Sequence, residues 1–231
     1  MADMNTLEQF FYYLSENGSY VVLQFLNHFL TSIYGVLLAA VVGIPIGVLI
    51  AKYGKLSGPI ITIANIIQTI PALALLAILM LGMGLGRPTV IVAVFLYALL
   101  PIIKNTYTGI TNINQDLIDA GKGMGMTRSQ VLYMIELPLS LSVIIGGLRI
   151  ALVVAIGVVA IGAFIGAGGL GDIIIRGTNA TNGTAIILAG AIPTALMAVI
   201  ADIILSFVER RLDPVKRHKK ASTPEVQSLE N

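Results

Sequence analysis

DAGKGMGMTRSQVLYMIELP, residues Asp119–Pro138, is a polar interruption between the third and fourth apolar stretches of the chain. Its order is specific: Asp119 and two small residues, Ala120 and Gly121, then Gly125 after three positions, then Ile135, Leu137 and Pro138 after nine more. Asn114 can cap a short helix through Leu117 and Asp119, and Gly123 and Gly125 then permit a turn. Thr127 with Gln130 three residues later matches a capping box for a second helix carrying Val131, Leu132 and Ile135. Pro138 marks the start of the next apolar helix. The segment is thus expected to be a helix–turn–helix elbow at a membrane surface.

The rest of the chain puts the elbow beside lipid. With 56% hydrophobic and 11% charged residues and a mean hydropathy of +0.90, there is too little polar surface to cover a water-soluble globule. Charge-free runs over Val21–Ala51, Leu56–Gly86, Ile150–Gly171 and Gly177–Ala201 each exceed the roughly 20 residues that cross a hydrocarbon core. The shorter run Pro88–Ile103 reaches that length with its flanks. An all-α, polytopic membrane fold follows, with spans expected at 26–51, 58–82, 88–108, 139–164 and 184–208. Leu7, Phe10, Phe11 and Leu14 share one helical face, so residues 1–19 are expected to lie in the interface as an amphipathic helix. A 20–212 membrane domain and a disordered 213–231 tail complete the division, the tail's basic half being suited to anionic lipid rather than nucleic acid.

Counting Lys and Arg between these spans gives the orientation. Lys52, Lys55, Lys104, Lys122, Arg128, Arg210, Arg211, Lys216, Arg217, Lys219 and Lys220 fall on one side, against Arg87 and Arg176 on the other. Cytoplasmic loops carry the positive excess, which places the elbow and the C-terminus in the cytoplasm and the N-terminus outside. No secretory leader is expected, since no basic residue precedes an apolar run within Met1–Tyr20. The absence of cysteine excludes disulfides, thiolate metal sites and cysteine nucleophiles. His28 and His218 are too few and too far apart in sequence to suggest a metal cluster.

Across its twenty residues the elbow resembles the signature loop of type I ABC importer permeases, E-A-A-x(3)-G-x(9)-I-x-L-P. Asp119 stands for Glu and Gly121 for the second Ala. The resemblance implies an ATPase-coupling loop of Asp119, Ala120, Gly121, Gly125, Met126, Ile135, Leu137 and Pro138, with a short apolar face entering a cleft on the ATPase. Asp119 would orient it, through Arg128 or a basic residue of the partner. IANIIQTIPALALLAIL, LPIIKNTYTGI, GLRIALVVAIG and FIGAGGLGDIIIRG extend the resemblance to osmoprotectant permeases for glycine betaine, carnitine or choline; methionine permeases share the GAGGLGD-like segment. The partners so implied are two cytoplasmic ABC ATPase subunits, a second permease chain, identical or paralogous, and an extracellular substrate-binding protein, in a bacterial cell membrane. No Walker-type G-x(4)-G-K-[ST] occurs in the chain, so the chain is read as a non-enzyme whose ATP and Mg²⁺ are held by the partner ATPase.

Polar residues inside the spans are the candidates for a translocation path: Asn65, Gln68 and Thr69 before Pro71, Tyr97, and Arg149. For Pro71 two readings stand, a packed kink with side chains repairing freed carbonyls, or a gate. For Arg149 they are a structural hydrogen bond to backbone carbonyls, or a gate or a contact for a zwitterion's carboxylate. Asp202 is expected to snorkel or to pair with a basic neighbour. The chain has no Trp and only 6% aromatic residues, which argues against a tight aromatic cage for a quaternary ammonium. A methionine-type permease and a passive, stretch-gated channel are the alternatives within transport. A membrane enzyme would require paired carboxylates, a metal cluster or an activated nucleophile within the spans.

Overall fold

The computed structural model describes residues 5–181 and 183–212, which contain helices and no strand; the expected 213–231 tail lies outside them. In chain order the helices are α1 (Thr6–Lys52), α2 (Ser57–Thr69), α3 (Ala72–Met83), α4 (Arg87–Thr111), α5 (Gln115–Gly123), α6 (Arg128–Val131), α7 (Leu137–Gly162), α8 (Leu170–Thr178) and α9 (Thr184–Leu212). α4 and α7 form the centre. Ala93, Val94, Tyr97 and Ile102 of α4 are buried with Ala151, Ala155, Ile156 and Val159 of α7. Lipid offers no hydrophobic drive for helices to associate, so close packing through small residues must hold them together. Gly35 of α1 illustrates this, since a Cβ there would come within 2.3 Å of Val94.

One expectation about the elements is refined and two need correction. The N-terminal helix, opened by a capping box of Asn5 and Glu8, meets the first spanning helix at a kink where Asn17 is non-helical, at φ −116° and ψ 16°, and the two together make up α1. At about 1.5 Å per residue, its 47 residues would reach about 70 Å against a core of about 30 Å. α1 therefore extends well past the core, and Asn17 marks where its course breaks.

The second span is not one helix over 58–82. It breaks at Ile70–Pro71 into α2 and α3, bent by 96°. Neither half, at about 20 Å or less, crosses the core alone. The pair nonetheless carries the chain from one end of the bundle to the other. α1 ends at Lys52 beside Thr111 and the elbow, whereas Gly86 donates its N–H to Ile165 O, past the far end of α7 (2.9 Å). With the bent pair the chain makes five passages.

The fourth span begins earlier than 139. α6, a π-helical turn over Leu132–Glu136 and α7 follow one another without a break, giving an apolar helix from Arg128 to Ile165. Pro138 lies within this helix rather than at its start. It has no N–H to give, and its ring would crowd the carbonyl four residues back; the wider turn just before it, with Leu137 N–H donating to Leu132 O, accommodates both.

After α7 the chain turns sharply, with Gly166, Gly168 and Gly169 at φ +75°, +72° and +81°. Gly171 does different work. A Cβ at that position would lie 2.1 Å from the Ala160 carbonyl oxygen, and backbone cannot yield as a flexible side chain can. Gly171→Ala is therefore expected to push α8 off α7 and cost about 2–3 kcal/mol, in the range of overpacked cores. Thermal unfolding of the purified protein checks this. A Gly157→Ala control, with nothing within 4 Å of the added carbon, should be neutral or slightly stabilising.

Candidate functional site

The elbow forms as a capped helix pair. Asn114 Oδ1 accepts from Asp116 N–H (2.9 Å) at the start of α5. Thr127 and Gln130 complete a reciprocal capping box at α6, each side chain taking the other's backbone N–H. Between the helices Gly125 sits at φ +82°, a left-handed conformation that glycine adopts without a steric penalty. Asp119 pairs with Lys122 (3.0 Å), not with Arg128, and both partners are well exposed.

The motif residues divide by face. Val131 and Leu132, expected on the apolar face of the second helix, are buried within the chain. Gly121 is buried too, and a Cβ there would meet Ile135 Cδ1 at 2.6 Å and Met126 Sδ at 3.2 Å. Gly121, Met126 and Ile135 thus lock α5 onto the following helix. Ala120 and Asp119 stay exposed, Leu137 is half-buried and Pro138 exposed. The apolar surface turned outward is instead Met124, Tyr133 and Met134, exposed by 76%, 68% and 66%, with Leu117 beside them in the elbow at 49%. Sequence reasoning missed this set. Its signal was present in the apolar residues left over once one helical face had been assigned.

Four of the five intramembrane candidates belong to one place, the α2–α3 break and the α4 residue packed on it. Pro71 ends α2, and the Ile70 carbonyl so released accepts from the buried Tyr97 hydroxyl of α4. Gln68 Nε2 reaches Tyr97 O (3.4 Å), and Thr69 Oγ1 donates to Ile66 O (2.7 Å). Asn65 is exposed. Arg149 is directed elsewhere. Its Nε and Nη1 donate to Asp202 Oδ1 and Glu209 Oε2, each at 2.9 Å. Asp202 and Glu209 are seven residues apart and share one face of α9, forming a clamp between α7 and α9. One guanidinium thus binds both carboxylates.

At the opposite end α8 is pinned to α1 by residues that sequence reasoning did not single out for this role. Gly169 N–H donates to Gln24 Oε1 (2.6 Å) and Leu170 N–H to His28 Nδ1 (3.2 Å). The other ring nitrogen, Nε2, lies 2.9 Å from Ile156 O of α7. An Nδ1 that accepts leaves Nε2 as the donor, so fully buried His28 ties three helices as one neutral tautomer. Asp172 Oδ2 accepts from the Tyr20 hydroxyl and from Arg176 Nε (2.7 Å), and the Arg176 guanidinium lies 4.9 Å from the Tyr20 ring centroid.

Burial pushes the Asp172 carboxyl up, but hydrogen bonds from Tyr20 and Arg176 and the guanidinium charge outweigh it and hold the group below its ordinary 3.8. A carboxyl depressed on folding stabilises fully above its unfolded value and loses that contribution as pH falls through the folded one. The thermal midpoint of Asp172→Asn is therefore expected to lie below the parent's by an amount equivalent to about 0.5–1 kcal/mol, allowing for screening of the exposed guanidinium. The gap should hold from neutrality to about pH 5 and close only as pH drops below the unfolded carboxyl range. Midpoints measured across pH decide it.

Comparisons with known proteins agree with this arrangement. Residues 43–214 match the family described as "Binding-protein-dependent transport system inner membrane component". The chain is 65% identical over 216 residues to the "Glycine betaine/carnitine/choline transport system permease protein OpuCD" of Bacillus subtilis (strain 168), covering 94% of each chain. It is 63% identical over 225 residues to the "Choline transport system permease protein OpuBD" of the same organism, covering 97% of this chain and 99% of that one. Among solved structures, a chain of the inward-facing MetNI methionine ABC transporter superposes with a TM-score of 0.75 at 24% identity, over 83% of this chain and 95% of that one. At that identity the likeness is one of fold.

Proposed function

From the premise that the chain belongs to the family of binding-protein-dependent transport system inner membrane components, we propose that it is the permease subunit of an ATP-driven importer of glycine betaine, carnitine or choline. The observation that carries the solute class is the 65% identity, over 94% of both chains, to a permease named for those three solutes. The 24%-identical methionine transporter chain shares only the fold. The elbow end is the cytoplasmic one, because Lys52, Lys55, Lys122, Arg128, Arg210 and Arg211 accompany elements ending there while Arg87 and Arg176 accompany elements at the other. With five passages, this reading has the N-terminus outside and the C-terminus inside.

In this reading two ATPase subunits seat the elbows of two permease chains through Met124, Tyr133, Met134 and Leu117. Methionines suit such a seat because their flexible thioethers adapt to a partner's contours. Closure of the ATPases on ATP draws the elbows together. α6 is continuous with α7, so a push on the elbow is delivered directly to the central helix of the bundle. The α2–α3 break, with Asn65 exposed beside it, lines the path; Tyr97 and Thr69 hold its Ile70 and Ile66 carbonyls, and Gln68 ties it to the Tyr97 carbonyl of α4. A binding protein delivers solute at the α8 end. Supporting a passive path on these residues would require solute flow without ATP.

The test is uptake into vesicles containing the assembled complex, with labelled betaine, carnitine, choline and methionine in parallel. Uptake of one or more of the first three, dependent on ATP and on the binding protein, is expected. Methionine uptake in their place would shift the solute class, and uptake unaffected by an inactivated ATPase would remove the ATP-coupled reading altogether.

A further inference from the structure

A cavity of about 830 Å³ opens between the end of α1, the end of α4 and the elbow. Its charged lining is Lys52, Lys122, Arg128 and a single acid, Glu136, over apolar walls that include Ile118 and Val131. We propose that it binds the phosphate of an anionic glycerophospholipid from the adjoining leaflet.

Depth is the first argument. The cavity wall includes the last residues of two membrane helices, Lys52 of α1 and Thr111 of α4, which is where the hydrocarbon gives way to headgroups. Tyr53, 60% exposed and part of the same wall, is of the aromatic type that settles at this level. Charge is the second. Lys122 is partly neutralised by Asp119, but among the described residues Lys52 and Arg128 have no ion-pair or hydrogen-bond partner. Two uncommitted cations and a shared third, set against one carboxylate, suit a phosphodiester with one negative charge; the apolar wall suits the glycerol and the first acyl carbons. Separation from the ATPase seat is the third argument, because Leu117, Met124, Tyr133 and Met134 contribute nothing to the lining. Lipid and ATPase can therefore be held by the elbow at once, one on each side.

The proposal rests on the importer reading only for the leaflet concerned. The intact complex would be purified in detergent with mixed phosphatidylglycerol and phosphatidylcholine, and retained lipid counted by native mass spectrometry. Transport plays no part in that readout, so failure here leaves the importer reading standing, and loss of that reading leaves the lipid count interpretable. The parent is expected to retain phosphatidylglycerol selectively. Each of Lys52→Gln and Arg128→Gln should weaken retention about fivefold, the worth of one basic residue near an anionic lipid surface. Glu136→Gln should strengthen retention by a similar factor, a gain that a misfolded variant would not show. Equal retention of the two lipids, or retention unchanged in the Lys52→Gln/Arg128→Gln complex, would overturn the proposal. Displacement of the lipid by excess inorganic phosphate would also overturn it, by assigning the cavity to a soluble anion.

Discussion

Gly125→Val is expected to insert into the membrane at parental levels and yet reduce solute uptake to under about a tenth of the parent's. The backbone at Gly125 stands at φ +82° with nothing within 4 Å of an added Cβ, so the harm is conformational and not steric crowding. A β-branched residue in the left-handed region costs about 2 kcal/mol. That is too little to unfold a five-passage bundle but enough to depopulate the turn about thirtyfold. With the turn lost, Met124 no longer stands where Tyr133 and Met134 do, and the proposed ATPase seat is lost. Gly123→Ala is the matching control: two residues away, it ends α5 with helical geometry and open space around it, so uptake should be unchanged. Uptake assays alongside co-purification of the ATPase separate docking from folding.

The second large effect concerns Arg149. Arg149→Met removes from both Asp202 and Glu209 the ion-pair partner that each has among the described residues, leaving two carboxylates between α7 and α9 unpaired there. Breaking a buried ion pair on one side costs about 3–5 kcal/mol. These groups are roughly one-third to one-half exposed, so a loss of about 2 kcal/mol is expected here. Removing all three charges together, as Arg149→Met/Asp202→Asn/Glu209→Gln, should restore most of the stability, since the cost lies in the unpaired ions more than in the lost attraction. Uptake should recover with it if the clamp is structural. Recovered stability with uptake still absent would put Arg149 in the solute path instead. Thermal unfolding and uptake, run on the same preparations, distinguish the two.

These two sites also show where sequence reading succeeds and where it stops. The elbow's caps, its glycine turn and its register are local properties, fixed by residues within a few positions of one another, and all were legible. What covers each face was not. Val131, Leu132 and Ile135 were rightly grouped as one apolar face, but nothing local says whether a partner's cleft or the chain's own α5 will bury it. The gap left at Gly121, filled by the Ile135 side chain, is what commits that face inward and turns Tyr133 and Met134 out. Similarly, hydropathy found the second span by length and marked Pro71 as a break. The 96° bend depends on Tyr97, twenty-six residues further on, reaching the carbonyl just before that proline. Asp202 was read as snorkelling or pairing with a basic neighbour, but that the neighbour is Arg149 is legible only once α7 and α9 lie side by side. His28 carries the same lesson: one histidine suggests no metal site, and only the folded positions of Ile156 and Leu170 show it to be a three-helix tie.

The chain contains no cysteine, so a Met124→Cys variant offers one thiol, on the most exposed residue of the proposed ATPase seat. With a short thiol-to-amine crosslinker on the assembled importer, the expected product joins the permease to its ATPase subunit, at a yield that rises when ATP is bound and the ATPases close. A complex that transports solute normally while Met124→Cys yields no such product, with or without ATP, would contradict the assignment of this elbow as the point where ATP closure is passed to the membrane helices.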